Sequence, residues 1–111
     1  MNENDDLIPN VTTEQGLRQC LEQGGLIEVE CREEASRRGP AWHGLWTMTS
    51  IHPSGTAKRL VTARAKVSDG GVKVREFKTA TGVISFLVGC GLPEARFPLK
   101  AGQKTTLQLQ S

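Results

Sequence analysis

Tyrosine is missing from this chain, and the other aromatics are few: Trp42, Trp46, Phe77, Phe86 and Phe97. A core with so little aromatic area rests mainly on aliphatic burial, at about 25 cal/mol per Å², so the place of each ring matters. Long hydrophobic runs are lacking too. No stretch approaches the ~20 apolar residues that a membrane-crossing helix needs. No early segment joins a basic start to an apolar run, which argues against a signal peptide and leads us to expect a cytoplasmic protein without a membrane partner. The cysteines Cys20, Cys31 and Cys90 are odd in number and show no C-x-x-C spacing, so core-filling thiols are expected rather than a disulfide framework or a zinc ribbon. His43, His52, Cys31 and Cys90 match no metal-ligand spacing. G-x-S-x-G, H-E-x-x-H and P-loop patterns are all missing, and Gly89-Cys90-Gly91 reads as a helix stop. These absences leave no catalytic residue, cofactor or metal to name, and a non-enzymatic protein is expected.

What is present is a lopsided charge distribution beneath a net charge of +2. The first 35 residues hold nine acids against Arg18 and Arg32, a net of −7. From Ser36 onward twelve bases face only Asp69, Glu76 and Glu94, a net of +9. Such asymmetry points to a polyanionic partner for the second part or to self-complementation between the two.

A length of 111 residues suits one domain. Residues 1–11 read as a disordered acidic tail and 12–111 as a single α+β domain. Thr12 and Gln15 have capping-box spacing, and Leu17, Cys20 and Leu21 recur at helical intervals, which predicts a helix over 12–23 stopped by Gly24-Gly25. Residues 26–32, LIEVECR, alternate cleanly as a half-buried strand. The charged stretch 33–40, EEASRRGP, reads as a loop closed by Gly39-Pro40.

The next strand is expected over 42–51, with Trp42, Trp46 and Met48 on one face and His43, Leu45, Thr47, Thr49 and Ile51 on the other. Further strands are expected over 58–67 and 72–77, joined by a turn at Ser68-Asp69-Gly70-Gly71. Thr79 caps a predicted apolar helix over 80–88, with a strand over 83–88 as the alternative. Thr105 to Leu109 offers a final edge strand. The fold class expected is therefore α+β, an antiparallel sheet of about four strands packed on two helices in the order α-β-β-β-β-α, with an extra C-terminal strand.

On this reading Lys58, Arg64 and Lys66 share an outward sheet face, joined by Lys73 and Arg75 if the next hairpin arm is in register. Trp42 or Trp46 would lie beside them. Bases stack on such a ring while the cations neutralise phosphates. The competing arrangement is a solvated face, with Glu28 and Glu30 pairing to Arg64 or Lys66 and both tryptophans in the core. Arg37 and Arg38 form a second basic cluster, and Lys78 stands just before the cap Thr79, where free backbone N–H groups favour a phosphate.

Two resemblances accompany these residues. The order α-β-β-β-α, with Gly39-Pro40-Ala41-Trp42-His43 opening a strand, resembles a double-stranded RNA-binding domain over roughly residues 12–92. That implies a phosphate clamp near the last helix, where only Lys78 matches and Thr79-Ala80-Thr81-Gly82 departs from the lysine-rich pattern. The phrase Arg75-Glu76-Phe77-Lys78-Thr79, followed by an apolar helix and a glycine, is similar to small proteins of bacterial plasmids and integrative elements, implying a role in maintaining or regulating such DNA. The function expected is a small nucleic-acid-binding accessory protein, acting on DNA rather than RNA. The alternative is a protein-interaction or self-association module, with a homodimer or another protein as partner.

Overall fold

The computed structural model describes residues 10–62 and 73–109. Its elements run β1 (Val11–Thr12), α1 (Glu14–Glu22), β2 (Leu26–Arg38), β3 (Ala41–Ile51), β4 (Ala57–Leu60), β5 (Phe77–Thr79), α2 (Ala80–Gly89) and β6 (Lys104–Leu107). One six-stranded sheet is ordered β1-β4-β3-β2-β6, and β5 pairs with β3 outside this path. The expected antiparallel sheet of about four strands is thereby corrected: the sheet is mixed, because β1 runs parallel to β4. Two residues carry no periodic pattern, so β1 is invisible to alternation. It is held by backbone groups, the Arg59 and Val61 amides donating to the carbonyls of Asn10 and Thr12. Val11, assigned to the tail by composition, is thus the first described strand residue.

Helix α1 begins one residue later than Thr12 would place it. Thr13 is the N-cap, its hydroxyl accepting from the Gly16 amide at 3.2 Å. Leu17, Cys20 and Leu21 form its buried face, and Gly24 leaves the helix with a φ of +93°, a backbone shape open to glycine. The run over 80–88 is a helix, as favoured: the Thr79 hydroxyl accepts from the Gly82 amide at 3.0 Å, and Val83, Phe86 and Leu87 are buried. Both helices pack on the sheet face formed by Ile27, Val29, Cys31, Trp46 and Met48, where a single core gathers them with Leu60, Phe77 and Leu107. Register accounts for this face, since Val29 lies opposite Met48 and Cys31 opposite Trp46.

The stretch 33–40 is not a loop. Strand β2 continues to Arg38, interrupted by register shifts on either side of Glu33, and only Gly39-Pro40 turns the chain into β3. With Gly39 at φ +62° and proline fixing a negative φ after it, the turn has the II′ pattern that suits a two-residue hairpin. The loop reading failed because this end of β2 is polar on both faces apart from the small Ala35, which removes the alternation while leaving the backbone pairing intact. Beyond Leu60 the expected strand persists as a bridge between Val61 and Val74. Residues 63–72, with their predicted turn at 68–71, lie outside the described residues. The following strand is β5 at Phe77–Thr79 rather than 72–77. No helix among the described residues is long and apolar enough to cross a membrane.

Candidate nucleic-acid interface

Among the described residues the basic side chains do not gather on one sheet face. On the face away from the helices, cross-strand neighbours are Glu28, Thr49 and Arg59 in one row and Glu30 and Thr47 in the next. Arg59 Nε donates to Thr49 Oγ1 at 3.1 Å. This face is mixed in charge and rich in threonine. Lys58 stands opposite Ser50, eight residues along β3 from Trp42, a separation of roughly 27 Å at strand rise. Arg64 and Lys66 lie outside the described residues. Lys73 is exposed, and its carbonyl accepts from the Thr62 amide.

Arg75 has a structural role instead. It reaches Glu14 Oε1 at 3.2 Å, and its guanidinium carbon lies 5.0 Å from the centres of both the Phe77 and Phe86 rings. Glu14 also binds Arg18 at 2.8 Å, so these charges tie α1 to the start of β5 and to α2. Trp46 is removed from the candidate set too. It is fully buried, donates from Nε1 to the Pro98 carbonyl at 2.8 Å, and meets Phe97 edge-on at 5.6 Å between centroids. A ring in that position cannot stack on a base.

What the structure does bring together is the far end of the β2–β3 hairpin. Segment 99–103 runs beside β2 only as far as Ala35, whose amide donates to the Leu99 carbonyl, and β5 runs beside β3 only as far as His43. Beyond them Ser36 to Trp42 is two-stranded. Arg37 pairs with Trp42 and Arg38 with Ala41, and because directly opposed residues share a face, Arg37 and Trp42 lie on one side and Arg38 on the other. Trp42 is 50% exposed. Arg37 Nε donates to the Gly39 carbonyl at 2.8 Å, which ties one edge of the guanidinium to the turn and leaves its terminal nitrogens free of that bond. Among the described residues neither arginine is in an ion pair.

On the Arg38 side, a shallow depression of about 460 Å³ is lined by Arg38, His43 and Lys78 together with Glu33, Ser36 and Glu76. His43, met in the sequence both as a candidate metal ligand and as the end of the Gly39-Pro40-Ala41-Trp42-His43 stretch, belongs to this surface; the alternation of β3 already placed it on the face opposite Trp42. Its position beside Arg38 follows from the extension of β2, which the sequence pattern conceals. Among the described residues no group of three or more His, Cys, Asp or Glu side chains is arranged to hold a metal. Burial pushes the Cys31 and Cys90 thiols up from their ordinary pKa, the opposite of what an activated nucleophile needs. No family model, no curated protein and no solved structure matches the chain, so the case for a function rests on the geometry of the hairpin end itself.

Proposed function

We propose that the chain is a non-enzymatic nucleic-acid-binding accessory protein, acting on DNA, whose contact surface is the end of the β2–β3 hairpin. One observation carries the reading: two arginines outside any described ion pair flank a rigid Gly-Pro turn, with a half-exposed tryptophan directly across from one of them. Arginine supplies fixed donors for phosphate oxygens, and an exposed indole offers a surface for a base or sugar. Lys78 stands close enough on the Arg38 side to supply a third charge. Proline in the turn limits the conformations lost when a ligand is gripped.

Binding through two or three phosphates gives a plot of log K against log salt with a slope of roughly −1.4 to −2.1, if each contact on a single strand contributes about −0.7. Fluorescence anisotropy with labelled oligonucleotides at two or more salt concentrations measures it. The double substitution R37A/R38A should flatten the slope by more than half. No binding at low salt, or a slope unchanged in that variant, refutes the reading. A second reading, association through α2, is favoured by Ile84 and Val88, 44% and 63% exposed one turn apart on the same helix. Light scattering on the same samples separates the two, since self-association would raise the mass without oligonucleotide.

A further inference from the structure

The two sides of the hairpin end differ in a way that bears on what kind of nucleic acid would fit. Arg37 and Trp42 occupy one side as a directly opposed pair, and none of the described ion pairs involves Arg37. On the other side Arg38 and Lys78 share their depression with Glu33 and Glu76, so a phosphate there meets repulsion as well as attraction. A duplex groove is walled by phosphates on both sides, and a ribbon seated in it benefits from cations on both faces. A single strand asks for one favourable face, with a ring for the base and a cation for the neighbouring phosphate.

Access makes the same distinction. Trp42 is exposed over about half its surface, on a strand whose neighbour sets Arg37 directly opposite. A half-exposed indole has free surface to offer the π-face of an unstacked base. In a duplex those faces are covered by adjacent base pairs, and reaching them costs unstacking. The turn is short and the shoulders of the hairpin are broad, because segment 99–103 and β5 widen the sheet to four strands just behind Ser36 and His43. At about 4.8 Å between strands, four strands span more than the ~12 Å width of a major groove once side chains are added. Only the last few residues would enter.

Building on the proposed nucleic-acid role, we infer that the hairpin end is a single-strand site, with one base stacked on Trp42 and an adjacent phosphate held by the terminal nitrogens of Arg37. The test is a titration of the full chain with a single-stranded oligonucleotide and with the same sequence as a blunt duplex, followed by intrinsic fluorescence and by anisotropy, for the parent protein and for Trp42→Ala. Expected are quenching by the single strand, at least tenfold weaker binding of the duplex, and affinity roughly 5- to 150-fold lower in Trp42→Ala, the loss that one stacking contact predicts. Circular dichroism checks that this exposed substitution leaves the fold intact, and Trp42→Phe, which keeps a smaller ring, should recover part of the affinity. Equal or tighter duplex binding, or a Trp42→Ala variant that binds the single strand as the parent does, overturns this inference while leaving a phosphate-based nucleic-acid role standing. Absence of binding to either form overturns both.

Discussion

The two tryptophans make opposite predictions, and Trp46→Phe examines the buried one. In the native protein the Trp46 ring is wholly enclosed and its Nε1–H donates to the Pro98 carbonyl, itself buried, at 2.8 Å. Phenylalanine keeps an aromatic body against Phe97 but removes the donor, and leaving a buried carbonyl without a partner costs about 1–3 kcal/mol. The lost second ring opens a gap; full truncation of a buried aromatic costs about 3–5 kcal/mol, so this partial loss should add about 1–2 kcal/mol. Together the substitution should destabilise the protein by about 2–5 kcal/mol, a large share of the roughly 5–15 kcal/mol a domain possesses. The melting temperature should fall by roughly 8–20 °C, at about 4 °C per kcal/mol. Urea unfolding followed by far-ultraviolet circular dichroism is the suitable assay, because it does not depend on which fluorophore remains. Trp42→Phe is the control: at a half-exposed hairpin position it should change stability by no more than about 0.5 kcal/mol. A Trp46→Phe protein within about 0.5 kcal/mol of the parent, or a Trp42→Phe protein as damaged as Trp46→Phe, would refute the assignment of one ring to the core and the other to the surface.

Gly44 lies beneath the same ring: a Cβ there would meet Trp46 Cη2 at 2.7 Å and the Glu33 carbonyl at 3.1 Å. Gly44→Ala should therefore cost about 1–3 kcal/mol through overpacking, read as a lower urea midpoint at unchanged slope, and a neutral result would show that the ring has room to move. The thiols of Cys31 and Cys90 are held above their ordinary pKa chiefly by burial. At alkaline pH the folded protein keeps protons that the unfolded chain has released, so stability should decline as pH rises through the free-thiol value of about 8.5 and beyond. Urea midpoints measured from pH 7 to 10 should show this decline, and it should shrink in a Cys31→Ala protein compared with its own value at pH 7; a flat profile in the parent contradicts the buried assignment.

Alternation in 26–32 and 42–51 was enough to name the inner-face residues of β2 and β3, though not to pair the two strands, because period-two patterning is a local property that burial on one side imposes on each strand. The same held for α2, where Thr79 and the spacing of Val83, Phe86 and Leu87 specify a capped helix. The charged end of the hairpin escaped because it has no buried side; with nothing apolar to alternate, strand and loop look alike. Arg75 was legible as a charge, but not as a brace, since Glu14, Phe77 and Phe86 meet it only after α1, β5 and α2 have packed. The parallel pairing of β1 rests on backbone carbonyls that any side chain could accompany.

The tryptophans show most directly what was decided at each level. The sequence by itself determined that Trp42 and Trp46 share a face of β3, four residues apart on the strand's period of two. It also determined that Gly39-Pro40 would turn the chain and that basic residues would collect after Ser36. Only the tertiary structure decided that the cover reaches Trp46 and stops short of Trp42, leaving the second ring beside Arg37 at the end of the hairpin. The reason is physical: a strand specifies on which side a residue lies, whereas exposure depends on how far the layer packed against that side extends.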